Sequence, residues 1–137
     1  MKSIKFSLIY FLLAYITASI ISLAAYRINI TVMQIILFTL IPAIFGYFFY
    51  LYLKKTKCDS RKSFKETNLL IVFWIIASLS LDGLVYIVIV PLLYGYNPRW
   101  IFFTDHSFSG FLNYAMLIIV GYIARFFYLK KERLFRK

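Results

Sequence analysis

One acidic residue, Asp82, lies in the middle of an apolar run from Leu69 to Leu93, and its type and position suggest chemistry more directly than those of any other residue. An aspartate near the centre of a bilayer raises the insertion free energy by about 2.5 to 3.5 kcal/mol, so such a residue faces a protein interior or a water-filled cavity. There its carboxyl group can exchange a proton or hold a cation. Asp82 is therefore the first candidate for a functional residue.

The expected neighbours of Asp82 follow from depth in the membrane. Depth is counted at about 1.5 Å per helical residue, inward from the end of each run that has few basic residues beside it. On this count Asp82 lies roughly 16 Å deep. The same count puts Thr17 and Thr39 at roughly 15 and 14 Å. Desolvation favours an uncharged carboxyl group, which we expect to hydrogen-bond Thr39, Thr17 or a backbone carbonyl of a kinked helix. The sequence thus predicts an intramembrane polar layer of Asp82, Thr39 and Thr17.

Other residues that could support catalysis are scattered. His106 and Cys58 are the only histidine and cysteine, an apolar run separates them, and no second carboxylate lies in the run around Asp82. The stretch from Ser107 to Gly110 approaches the serine motif of intramembrane proteases but lacks its leading glycine. Catalysis needs a nucleophile with a base, a metal cluster or paired carboxylates. We therefore expect a protein that is not an enzyme and binds no metal or cofactor.

The elements that position these residues are four long apolar runs in a chain that is 63% hydrophobic and 15% charged. Each run exceeds the roughly 20 residues needed to cross about 30 Å of hydrocarbon, and none alternates as a β-barrel strand would. Only Asp82 and Arg125 are charged within them. The sequence predicts an all-α integral membrane bundle, one domain over residues 1–137, with four transmembrane helices at about 6–26, 30–53, 69–93 and 108–129.

Two local patterns refine this prediction. Ala14, Ala18, Ser22 and Ala25 recur every three or four residues and predict a close-packing face on the first helix. Pro42 lacks a backbone N–H, so a kink near Thr39 is expected in the second helix.

The basic residues give the predicted topology. The net charge is +11, and fourteen of the sixteen basic residues lie before the first run, between the second and third runs, or from Arg125 onward, leaving Arg27 and Arg99 on the other side. Basic residues concentrate on the cytoplasmic side of membrane proteins. Both termini, the basic loop 54–66 and the basic tail 130–137 are therefore expected in the cytoplasm, with the protein in a bacterial inner membrane.

The loop and the tail form a candidate surface for binding anionic lipid or a cytoplasmic protein. Each basic residue near an anionic lipid surface contributes about 1 kcal/mol. Because these residues flank membrane spans, direct nucleic acid binding is not expected. The candidate residues are Lys54, Lys55, Lys57, Arg61, Lys62, Lys65, Lys130, Lys131, Arg133, Arg136 and Lys137.

Unusual side chains also gather in the second outer segment, where Arg99, Trp100, Asp105 and His106 fall within 94–107. Trp100 is expected in the headgroup layer, and Thr104, Asp105 or Ser107 can cap the helix that follows. His106 could respond to external pH.

Two functional hypotheses follow. The first is a non-enzymatic inner-membrane subunit, an anchor or sensor in an immunity or phage-defence system that recruits a cytoplasmic partner through its basic face. It depends on the absence of a catalytic motif and on a composition rich in Ile, Phe, Tyr and Lys, as in AT-rich mobile genes. The second is a small transporter or flippase-like protein with Asp82 as a proton- or cation-linked site. Four helices enclose little space, so a homo-oligomer is expected.

Overall fold

The structure, a computed structural model, describes residues 3–57, 60–93 and 108–135. This part of the chain is helical throughout apart from short caps and turns. The helical segments are α1 (Ile4–Ile28), α2 (Ile30–Phe38), α3 (Leu40–Lys55), α4 (Ser60–Gly83), a π-helical segment (Leu84–Ile89), α5 (Val90–Leu93) and α6 (Phe108–Phe135). Only Thr39 separates α2 from α3, and α4 runs through the π-helical segment into α5. The described residues therefore form four long helical rods, and the all-α prediction is confirmed for them.

Three of these rods are long and apolar enough to cross a membrane: Ile4–Ser22, Gln34–Lys55 and Ser63–Ile89. The C-terminal helix α6 is not among the candidate spans found in the described residues. The composition and these lengths agree with a membrane protein. The fourth span remains a prediction.

The junctions before α2 and α3 follow from their local sequence. Asn29 ends α1 by donating its backbone N–H to the carbonyl of Ala25, and its side chain caps α2 by accepting from the N–H of Thr31 at 2.8 Å. Pro42 cannot donate to the carbonyl four residues earlier, and the helix breaks at Thr39. The predicted kink is confirmed.

The core is aromatic and is centred on Trp74 of α4, which is 1% exposed. Its ring lies 5.8 Å from Phe11, 5.9 Å from Phe45 and 5.2 Å from Phe49, measured between ring centroids. The indole N–H donates to Ser7 Oγ at 3.2 Å. Aromatic pairs of this kind contribute about 0.5–1.5 kcal/mol each beyond area burial. This cluster joins α1, α3 and α4.

Small residues set the closest helix contacts. A Cβ atom built on Gly46 of α3 would lie 2.8 Å from Val120, and one on Gly121 of α6 would lie 2.7 Å from Ile71 of α4. Helix α3 therefore packs closely on α6, while also contacting α1, and α6 contacts α4. On α1, Ala14 and Ala18 are buried in the core, as the predicted packing face requires.

The predicted basic loop over 54–66 is largely helical instead. Helix α3 continues to Lys55, and α4 begins at Ser60. The physical reason is a polar stripe at helical spacing, because Ser63, Glu66 and Thr67 are all buried against the other helices. Hydrogen bonds across the bundle, described below, offset the desolvation of Ser63 and Glu66, so these polar residues extend the helix beyond its apolar run.

Candidate functional site

Asp82 lies in the last turn of α4 and links three of the four rods. Its Oδ1 accepts a hydrogen bond from the hydroxyl of Tyr15 on α1 at 2.6 Å, and its Oδ2 accepts one from Tyr114 on α6 at 2.5 Å. All three side chains are half-buried. Each carboxyl oxygen thus has one phenolic donor, which is the arrangement that lowers the desolvation penalty of an acidic group among apolar helices.

The two tyrosines fit this role because each presents an apolar ring and a polar tip. Inside an apolar bundle a phenolic hydroxyl needs a partner, and a carboxyl oxygen is the strongest acceptor that a side chain offers. Tyr15 and Tyr114 were not among the predicted site residues. Each of these tyrosines lies within an apolar run, several residues from either end. A tyrosine that anchors a helix at the membrane interface would lie near the end of a run, so this position was the signal in the sequence.

The predicted hydrogen bonds from Thr17 and Thr39 to Asp82 are wrong. Thr17 Oγ1 donates to the carbonyl of Leu13 at 2.7 Å, and Thr39 Oγ1 donates to the carbonyl of Ile35 at 2.7 Å. Each hydroxyl is satisfied within its own helix by the carbonyl four residues earlier, a common alternative for threonine in helices. Equal depth therefore did not bring these groups together, and the polar group around Asp82 is built from tyrosines.

Two further features adjoin Asp82 along its own helix. Ser78, four residues earlier on the same face of α4, is 4% exposed, and its hydroxyl has no hydrogen-bond partner among the described residues. Immediately after Gly83 the helix widens into the π-helical segment. Pro91 follows that segment and removes a backbone donor, and π-helical turns occur frequently at functional sites.

The group formed by Asp82, Tyr15 and Tyr114 allows two kinds of chemistry. A carboxyl group with two phenolic partners can gain or lose one proton while the hydrogen bonds rearrange, or it can act as an anionic ligand. Within the described residues no three His, Cys, Asp or Glu side chains come close enough to hold a metal ion.

A second polar group lies at the other end of α4. Tyr52 donates its hydroxyl to Glu66 Oε1 at 2.5 Å, and both residues are buried. Arg125 Nε donates to Ser63 Oγ at 3.0 Å, and its guanidinium carbon lies 5.3 Å from the ring centroid of Phe64. Arg125 is therefore held near this end of the bundle, away from Asp82. Glu66 had been expected in the basic loop, and the serine, glutamate and threonine at helical spacing were the signal for a buried stripe.

Around this polar group the four rods present one positively charged surface, which we call the basic end. Lys55 lies with its ammonium nitrogen 5.6 Å from the ring centroid of Phe6, so the end of α3 adjoins the start of α1. The described lysines at the basic end are all exposed: Lys5, Lys54, Lys55, Lys57, Lys65, Lys130 and Lys131. Arg27 is exposed at the opposite end of α1.

The remaining candidate residues are only partly within the described structure. Arg61 and Lys62 belong to the first turn of α4, and Arg133 to the last turns of α6. The other predicted residues lie outside the described residues: Arg99, Trp100, Asp105, His106, Arg136 and Lys137.

Comparisons of the chain with protein-family models, with characterised proteins and with solved structures found no match. The two polar groups and the basic end are therefore the features of the molecule that bear on its function.

Proposed function

We propose that this protein is a non-enzymatic anchor or sensor subunit of a bacterial inner membrane, which recruits an acidic cytoplasmic partner through its basic end. The observation that supports this proposal is the set of exposed lysines from all four rods at one end of the bundle. Bacterial immunity and phage-defence systems are the setting that we propose for such a subunit.

The buried polar group beneath the basic end supports this role. The bonds from Tyr52 to Glu66 and from Arg125 to Ser63 tie α3, α4 and α6 together directly below the lysines. These bonds fix the relative positions of the helix ends that carry the lysines. Clustered exposed charges mainly raise association rates and select partners of opposite charge, so binding should weaken as salt increases.

Co-purification with the products of neighbouring genes tests the proposal. The chain is expressed with its native operon and purified in a mild detergent at low and high salt. Replacement of Lys54 and Lys55 by glutamine should weaken partner binding about thirtyfold at low salt and so reduce recovery of the partner. The matched control replaces Arg27 and Arg99, the two basic residues predicted on the outer side, which removes the same charge, and should leave recovery at the wild-type level. Equal recovery from both variants would reject the basic end as the binding surface.

The hydrogen-bonded group around Asp82 favours a second candidate function, a small oligomeric transporter or flippase-like protein with Asp82 as a proton- or cation-linked site. Tyr15 and Tyr114 are its two donors, and an uptake or loss of one proton would change the contacts among three rods at once. An oligomer is required in this proposal because four helices alone enclose little space.

The two candidates make different predictions for Asp82→Asn. The amide retains an acceptor for one tyrosine but cannot release a proton. A transporter should lose activity with Asp82→Asn, keep part of it with Asp82→Glu, and insert normally in both cases. An anchor should keep partner recovery at the wild-type level with Asp82→Asn. Full activity of this variant in the assay that the native operon provides would exclude the transporter.

A further inference from the structure

A long apolar groove runs along the outer surface of the bundle between α3 and α6. It has a volume of about 800 Å³. Its floor is made by small or buried residues, including Pro42, Gly46 and Val120. Exposed side chains such as Tyr47 and Phe127 form its walls. The groove therefore opens to the surroundings of the helices and not into the core.

The groove carries charged side chains at one end only. Met116 lines it near one end, and Lys130 and Lys131 line it at the basic end, where both lysines are exposed. The rise from Met116 to Lys130 is about 21 Å along a straight helix. One leaflet of hydrocarbon is about 15 Å thick, so the groove has the length of a lipid tail plus the start of a headgroup.

We propose that this groove binds one anionic phospholipid, with an acyl chain along the apolar floor and the phosphate beside Lys130 and Lys131. The proposal goes beyond partner recruitment, because it concerns the lipid-facing side of the bundle. Charge complementarity supports it, since two lysines line the groove where a headgroup phosphate would lie and the rest of the lining is mostly apolar. Its volume is within the range of about 300–1,000 Å³ that is typical of ligand pockets.

Charge argues against a helix from a second copy as the occupant of the groove. In a parallel pair, the two lysines at one end would face the basic end of the other copy, and like charges repel.

Native mass spectrometry of the full-length protein tests the headgroup site. The protein is delipidated in detergent and titrated with phosphatidylglycerol or, separately, with zwitterionic phosphatidylcholine of the same chains. We expect one tightly held phosphatidylglycerol and at least tenfold weaker binding of phosphatidylcholine.

Replacement of Lys130 and Lys131 by glutamine should weaken phosphatidylglycerol binding about thirtyfold. Replacement of Lys54 and Lys55 removes the same charge from the same end but outside the groove, and should weaken binding less than threefold. Equal losses in the two variants would show that net charge alone attracts lipid and would overturn the proposal.

Ala43, an exposed groove residue on α3, provides the test of the tail site. Ala43→Trp should fill the groove and abolish the tightly held lipid, while Ala115→Trp, at an exposed alanine of α6 outside the groove, should retain it. Thermal unfolding of both variants shows that they are folded, and a mass measurement shows their assembly state. Retention of the lipid by folded Ala43→Trp would refute the proposal. So would conversion of an oligomer to a monomer by this variant with lipid binding unchanged, since the occupant would then be a second copy.

Discussion

The packing of α6 on α4 makes a quantitative prediction for Gly121→Ala. A Cβ atom at this position would lie 2.7 Å from Cγ1 and 2.8 Å from Cδ1 of Ile71, and 3.2 Å from Cζ of Phe49. Both neighbours are buried, so neither can move away without disturbing the core. Overpacking of this degree destabilises a protein by about 1–3 kcal/mol. The better helix propensity of alanine offsets up to about 1 kcal/mol, so we expect a net loss of about 1–2 kcal/mol.

A double-mutant cycle with Ile71→Ala isolates the clash. Ile71→Ala alone should destabilise the protein by about 2–5 kcal/mol through the cavity that it leaves. In the double variant the new methyl group enters that cavity, so the combined loss should be smaller than the sum of the single losses by about 1–2 kcal/mol. Unfolding in mixed micelles with increasing SDS, followed by tryptophan fluorescence, measures the three free energies. Losses that add within about 0.5 kcal/mol would refute the packing described for Gly121.

The remaining predictions concern single contacts and topology. Ala18→Leu adds volume to a site that is 6% exposed, so it should lower stability in detergent by about 1–3 kcal/mol. A variant with the melting temperature and the size-exclusion elution volume of the wild type would contradict this packing. Tyr52→Phe removes a donor to buried Glu66 and should lower stability by about 1–3 kcal/mol, clearly more than Tyr122→Phe, whose bond is exposed; equal losses would contradict it. An impermeant thiol reagent should label Cys58, which lies outside the described residues, only after permeabilisation, and labelling in intact cells would reverse the predicted orientation.

The helices were predictable because their signals are local. The length of an apolar run predicts a helical rod, and Pro42 predicts a helix break three residues earlier, at Thr39. Both features depend only on residues that are close in sequence. The start of α4 was not predictable in this way. Its first turns are polar, and their helical state depends on Tyr52 and Arg125, which come from other rods.

The partners of Asp82 show a different limit of sequence reasoning. Counting residues gives the depth of a side chain but not the direction in which it points around its helix. Thr17 and Asp82 both lie in helices long and apolar enough to span a membrane, yet Thr17 bonds within its own helix while Tyr15, two residues away, reaches the carboxyl group. Two residues along a helix correspond to a rotation of about 200°, so neighbours of similar depth can face opposite sides.

Site-specific photo-crosslinking in cells tests the recruitment of a partner by the basic end most directly. A photoreactive amino acid replaces Lys54 at the basic end or, as the control, Arg27 at the opposite end, with the native operon present. We predict that light produces a covalent adduct between position 54 and a cytoplasmic protein encoded beside this chain, and none at position 27. The absence of an adduct at position 54, or adducts of equal yield at both positions, would contradict the proposal that the basic end recruits a cytoplasmic partner.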